Sequence, residues 1–409
     1  MKTKLLFWFA ILPAVLFGPS ALATGMGPSA FDPLFPFTKD QKWGLMDKTG
    51  KMVITPRFDR VGAPQWISGL EVSRTLAETR PWIGVQEGKL WGFVDRTDRI
   101  AIPPQFDEVA NFSEGLAKVR VGKRYGYIAP SGVLVIPARF DGAKDFSAGR
   151  AAVQLDRSWG YIDKRGKYVV RPKFSQASGF AEGRARVETN VEATGPLPRG
   201  VASGYIDRSG HWAIPPAFGY AEDFSGGLAR VWITPGRIAY HPSPEDANLP
   251  ETIGFINTTG KVVILADWDE AHDFCEGRAA VRKGNLWGYL DRNGKVVVAP
   301  AYRQAEDFSE GLAAVRTRDQ KAGFIDPQGK MVIPAQYDAA YGFSEGRAAV
   351  EVGNLWGYID TAGHWVVRPQ YWAAGGFRAG LAAVRIRQED KTNWGYIDRG
   401  GKYVWGPES

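Results

Sequence analysis

Residues 287–316 read WGYLDRNGKVVVAPAYRQAEDFSEGLAAVR. Trp287 to Asp291 is rich in aromatic and β-prone residues, and Lys295 to Val298 is β-branched, so both segments read as strands. Between them Asp291-Arg292-Asn293-Gly294 carries Asp at the first turn position and Gly at the fourth. That is the chemistry of a type I turn followed by a left-handed residue, and it predicts a β-hairpin. Pro300 cannot donate to a ladder and is expected to stop pairing near the end of the second strand, as are Pro334 and Pro369 in later copies. A second turn, Phe308-Ser309-Glu310-Gly311, opens a third strand over Leu312 to Arg316. No stretch of the array has helical periodicity.

The same pattern recurs. Residues 356–385 read WGYIDTAGHWVVRPQYWAAGGFRAGLAAVR, and further copies start at Trp43, Trp91, Tyr125, Trp159, Ser203, Ile253, Ala322 and Trp394. The second residue of each copy is Gly, at 44, 92, 126, 160, 204, 254, 288, 323, 357 and 395. Such self-similarity at a period of about 34 residues is the signature of a repeat architecture. The pattern W-G-[YF]-[IV]-D-x-x-G-K-x-V-I-x-P, ending in F-S-E-G-L-A-x-V, resembles the WG-containing repeat of bacterial proteins over about residues 43–409. The resemblance implies a β-rich module that binds something and implies no reaction. Ser203, Ile253 and Ala322 replace the Trp, and Ala129 and Asn257 replace the turn Asp, so those units are expected to pack or turn less tightly.

Three strands cannot bury both faces of their sheet, so units must stack on neighbours. Propeller blades usually carry four strands in about 40–45 residues and close at about 4–8 blades. Ten units of about three strands therefore point to an all-β, open, twisted array, with a closed propeller-like ring as the alternative. The segment Phe31-Asp32…Phe37 has the spacing of Phe106-Asp107…Phe112, and the chain ends on a front half-unit, Trp394 to Trp405. These complementary halves could close a circle. The first half shows no Gly-Leu-Ala-x-Val strand, which favours two capped ends.

Composition sets the remaining bounds. The 409 residues are 44% hydrophobic and 13% aromatic, which excludes disorder. A single cysteine, Cys275, excludes a disulfide framework and a cysteine metal centre. Lys2 and Lys4, an apolar run from Leu5 to Phe17 and Ala21-Leu22-Ala23 read as a signal peptide cleaved after Ala23. The chain then divides into a signal peptide (1–23), a segment with a partial repeat (24–42) and the array (43–409). Export to the periplasm or beyond the cell is expected, with no membrane-spanning segment in the mature chain. Lys+Arg number 51 against 44 Asp+Glu, interspersed throughout, so nucleic acid is not an expected partner.

The repeated residues read as structural, because a catalytic site does not need ten copies. This covers Trp43, Trp91, Trp159, Trp287, Trp356 and Trp394 with Gly44, Gly92, Gly288 and Gly357. Gly342-Phe343-Ser344-Glu345-Gly346 matches the nucleophile elbow of hydrolases, yet it is one of the Phe-Ser-Glu-Gly turns and lacks the strand–turn–helix setting. The Asp291 loop lacks the twelfth ligand of a calcium loop. His211 and His364 read as solvated, His241 and His272 as isolated, and no metal, cofactor or catalytic residue is assigned. Cys275 occupies the Ser slot of its turn and reads as unreactive.

Length variation says more about function. The connection from the Phe-Ser-Glu-Gly glycine to the next unit is about ten positions, but it is 22 after Gly69, 20 after Gly183, 26 after Gly227 and 14 after Gly380. Insertions at one connection line one edge of a regular array, where they mark either a binding face or neutral drift. The candidates in them are Trp82, Arg199, Tyr240 and His241. A second candidate set is the Arg at 150, 184, 278 and 347 that follows the turn Gly, as a partner for sugars or acids or as a stem covering apolar surface. The expected function is a non-enzymatic exported module engaging a protein in the cell envelope. A glycan or cell-wall ligand held by surface aromatics is the alternative.

Overall fold

The computed structural model describes residues 33–62, 82–191, 200–233, 252–266, 268–388 and 391–406. These form ten antiparallel sheets in chain order, over residues 35–58, 60–106, 108–140, 142–174, 176–218, 220–266, 270–302, 304–337, 339–371 and 373–405. Sheet 1 has three strands and the other nine have four, always ordered along the chain, here lettered a to d. In sheet 7 they are Glu270–Ala271, Arg278–Lys283, Leu286–Asp291 and Val296–Tyr302. Helix is absent from the described residues.

The sequence unit and the sheet are out of phase. Each Trp-Gly unit supplies strands c and d of one sheet and strands a and b of the next. Strand a was not foreseen, because in most sheets it is only two residues long, such as Gln304–Ala305. The expectation that the proline ends its strand is also corrected. Trp287 pairs with Tyr302, Tyr289 with Val298 and Leu290 with Val296, so strand d carries a bulge at Pro300 and resumes beyond it. The bulge leaves the proline's missing donor without consequence, and it explains the Gly of Trp-Gly. A Cβ on Gly288 would stand 2.3 Å from the Val298 carbonyl oxygen, so the bulged strand lies directly on this backbone.

Both expected turns form. Gly294 has φ +80° and its N–H donates to Asp291 O at 2.9 Å, while Asp291 Oδ1 accepts from Asn293 N and Lys295 N. The turns of the divergent units are no looser. Ala129 keeps both backbone bonds at 2.9 Å, and Asn257 Oδ1 accepts from Thr259 N and Lys261 N as an Asp would. In the other turn Glu310 and Gly311 both have positive φ, the geometry of a two-residue type I′ hairpin.

The sheets close into a propeller-like ring rather than the open array expected. All the interfaces but that of sheets 1 and 2, where the third residue is Leu45, repeat one contact: the aromatic third residue of Trp-Gly-[YF] packs on an aromatic of the next sheet, usually the turn Phe. Tyr127–Phe146, Tyr289–Phe308 and Tyr358–Phe377 have centroids 4.9 Å apart. Between sheet 10 and sheet 1 the pair is Tyr396–Phe35 at 5.6 Å, and Phe35, Phe37, Met46, Leu381 and Tyr396 share one core cluster. Gly50 of sheet 1 sits on Val404 of sheet 10 as Gly294 sits on Ile264. The N-terminal half-unit was misaligned. Phe35–Lys39 occupies strand b, with Phe37 opposite Gly44 where Val119 stands opposite Gly126. Phe35 and Phe37 thus replace the Ala and Val of Gly-Leu-Ala-x-Val, and larger side chains fill the joint.

Polar staples repeat around the ring. Ser113, Ser147, Ser309 and Ser344 hydroxyls donate to the Phe carbonyl of the next turn at 2.5–2.7 Å. Glu114, Glu182, Glu276, Glu310 and Glu345 accept from the glycine N–H of the following turn. Arg150, Arg278 and Arg347 reach the carbonyls of Arg208, Pro327 and Arg399 in the next sheet's c–d turn. These arginines are therefore interface staples, as is the Ser344 hydroxyl of the elbow-like motif. Arg184 donates to Gly183 O.

Candidate functional site

Ten near-copies give an internal control: a residue that the fold requires recurs, and one that occurs once answers to something else. The insertions are the first such departures. Those at 192–199 and 234–251 lie between strands b and c of sheets 5 and 6, and sheet 10 lengthens the same connection at 389–390. The first insertion is relocated. Trp82–Glu87 is strand b of sheet 2, so residues 63–81 fall between strands a and b, and that sheet's b–c turn stays short. One edge thus carries three of the four insertions.

A carboxylate marks where that edge stays tight. Asp59, Asp107, Asp141, Asp269 and Asp338 follow strand d and accept the N–H of Gly88, Gly122, Asp156, Gly284 and Gly353 in the next short b–c turn, at 2.5–2.8 Å. These bonds, with Lys42 on Asp59 and Lys321 on Asp338, hold Asp59 and Asp338 below the usual carboxylate pKa. Ahead of the three lengthened hairpins the slot is Ser175, Gly219 and Trp372. Sheet 8 also lacks the Asp, having Arg303, and keeps a short turn through Thr317 N and Lys321 O.

Of the residues expected at the site, Arg199, Tyr240 and His241 lie outside the described residues. Trp82 belongs to the fold: it is half-buried against the core shared by sheets 2 and 3, and its Nε1 is buried with no partner. His272 is not isolated. Its Nδ1 lies 3.0 Å from Asp307 Oδ1 of the next sheet, and its ring lies 4.8 Å from Trp287. Asp307 raises its pKa through that hydrogen bond, against the opposing effect of burial. Cys275 stands nearby, its thiol pushed up to about 11 by burial and by Asp307, so it stays protonated. The described residues contain no group of three or more metal-ligating side chains.

The surface feature missed from the sequence lies at sheets 5 and 6. Tyr220, first in strand a of sheet 6, is 40% exposed and pairs with Trp232 of strand b, with ring centroids 5.0 Å apart. The Arg186 guanidinium lies 5.4 Å from the Tyr220 ring and that of Arg230 lies 5.3 Å from Trp232. Glu188 accepts from Arg186 at 2.9 Å, Asp223 lies 3.9 Å from it, and Glu222 lies 3.6 Å from Arg230. Burial raises the pKa of Tyr220, with Glu222 adding to it, and burial lowers that of Lys144 of sheet 4, which also feels Arg186 and Asp223. The Trp slots here hold Ser203, buried with an unpartnered hydroxyl, and Ile253. Comparing the copies slot by slot would have found the pair: position 220 is Arg, Glu, Gly, Gln or Ala in the other described strands a, and position 232 is elsewhere Thr, Gln, Arg or Glu.

A ring of repeated small sheets, held by staples and carrying one irregular sector, defines a repeat-built propeller-like protein. The family model for the WG containing repeat matches residues 43–65, 91–125, 125–157, 159–190, 204–231, 253–287, 287–320, 323–356 and 356–388, and the chain belongs to that family. No curated protein matches it. Among solved structures it is similar to the extracellular domain of the putative hybrid two component system BT3049 from B. thetaiotaomicron, at 11% identity and a TM-score of 0.25, covering 93% of this chain and 65% of that one. It is also similar to BamB from Moraxella catarrhalis, at 9% identity and a TM-score of 0.36, covering 72% of this chain and 96% of that one. A third likeness is to the tricorn protease, at 12% identity and a TM-score of 0.25, covering 91% of this chain and 44% of that one. These scores are too low to carry a fold or a function across.

Proposed function

We propose that this protein is an exported, non-enzymatic binding and scaffold module of the cell envelope, with a protein as its partner. The observation that carries this reading is the division of labour around the ring. The recurrent polar groups are committed to interfaces between sheets, whereas the departures from the repeat gather on the edge where sheets 5, 6 and 10 extend their hairpins. A stapled ring is a rigid frame, and rigid frames lower the entropy lost on binding. The apolar leader at residues 5–17 supports export.

A second reading, a glycan ligand, is favoured by one specific observation: the exposed Tyr220 and Trp372 lie on that same edge. One comparison tests both. The wild-type protein and a variant shortened at 192–199 and 234–251 are cross-linked in intact envelopes and sedimented with purified cell-wall sacculi. Discrete cross-links lost in the shortened variant support the protein partner; pelleting lost in it supports the glycan. If the shortened variant behaves as wild type in both assays, the edge is not the binding face.

A further inference from the structure

We infer that the Tyr220–Trp232 sector binds an uncharged saccharide, a ligand assignment that rests on the glycan reading above. Three observations combine. Tyr220 and Trp232 occur once among the repeats, and Tyr220 leaves 40% of its surface in water. Around them stand charged hydrogen-bonding groups from three consecutive sheets: Lys144, Arg186 and Glu188, then Glu222, Asp223 and Arg230. The charges balance, three cations against three carboxylates, so the patch favours neither an anion nor a cation.

An exposed ring beside fixed donors and acceptors is what the two faces of a sugar require. Its C–H face stacks on the aromatic and its hydroxyls bond to carboxylate and guanidinium. Asp223 and Glu222 remain 49% and 33% exposed as side chains, so their outer lone pairs are free to accept from hydroxyls. A protein interface buries a continuous apolar core inside its polar rim. The exposed aliphatics of sheet 6, Val263 and Leu265, instead lie on strand d, at the opposite edge of the sheet. Trp232 has a structural use, since it pairs opposite Ile253 and packs where that sheet lacks its Trp. Tyr220 packs only on Trp232 and the Arg186 guanidinium among the contacts described and is the more exposed of the pair, and the test therefore rests on it.

The purified protein is run in native gels containing laminarin, dextran, galactomannan or hydroxyethylcellulose, with alginate as the anionic control, and is separately sedimented with sacculi. Retardation by at least one neutral polysaccharide, weakened about tenfold in Tyr220→Ser, is expected, the size of one lost interface anchor. Tyr341→Ser, an exposed aromatic stacked on Trp356 in sheet 9, should bind as wild type, with both variants melting as wild type. Sedimentation distinguishes a cell-wall glycan from a soluble one. No retardation of wild type in any neutral gel, or equal retardation of Tyr220→Ser, overturns the assignment. Envelope cross-links lost on hairpin shortening, with no retardation of wild type in any neutral gel, would leave the module standing and remove only this ligand.

Discussion

At the scale of single residues, the two kinds of recurrent glycine do different work. Gly288 has ordinary φ and is required by the bulged strand above it, where a Cβ would meet backbone at 2.3–2.9 Å. Gly311 has φ +78° and open space around it. Gly288→Ala should therefore lower stability by about 2–3 kcal/mol, since backbone must move, and Gly311→Ala by only about 1–2 kcal/mol of left-handed strain. Thermal melts of the two variants read the difference, and equal costs would refute the packing account of the Trp-Gly motif. His272 makes a prediction in pH. Asp307 and Glu270 favour its imidazolium, while burial and Arg230 oppose it, with a net upward shift from 6.5. Because the folded pKa is the higher one, this stabilisation is complete below about 6.5 and fades as pH rises through the folded value. His272→Gln should lower the melting midpoint at pH about 5.5 and leave it unchanged at about 9. The effect should stay under about 1 kcal/mol for so accessible a pair.

At the scale of elements, wherever the unit reads Gly-Tyr the Tyr ties strand c to the start of the next sheet: Tyr289 Oη donates to Glu306 O and Tyr358 Oη to Gly375 O, both at 2.8 Å. Tyr358→Phe should cost about 1 kcal/mol by stranding a carbonyl and losing one bond, measured by chemical denaturation. These elements mark what could be read in advance. The c–d hairpin was legible because Asp291 and Gly294 fix it locally. Strand a was not, because two residues such as Gln304–Ala305 have no periodicity of their own and pair only because the neighbouring strand offers an edge. Pro300 misled for a related reason: a local rule ends a strand there, while the bulge lets pairing resume at Tyr302. Tyr220 was missed because the repeat was read for what recurs, whereas the site lies in what does not. Trp82 was misplaced by taking Gly69 as the turn glycine of sheet 2.

At the scale of the whole molecule, closure is the feature that no local pattern encodes. The same contact, an aromatic on an aromatic, can end an open array or join its ends, and the outcome depends on the rotation accumulated over ten sheets. Phe35 holds the Ala slot of strand b, yet its ring makes on Tyr396 the contact that the turn Phe makes at other interfaces, and it is 2% exposed against 3% for Phe308. Pro36 lies on the outermost of the described strands of sheet 1, and its carbonyl accepts from Tyr396 Oη at 3.1 Å across 360 residues. Phe35→Ala and Phe308→Ala should then be equally costly, about 3–5 kcal/mol each as buried aromatic deletions. In an open array Phe35 would cap a fraying end, and its removal would cost far less than removal of Phe308 from the middle. Equilibrium denaturation compares the two, with hydrogen exchange over 35–46 and 391–405 as the local readout. Fast exchange of those amides in the wild type, beside slow exchange at 286–302, would mean that sheets 1 and 10 part in solution and that the ring opens there.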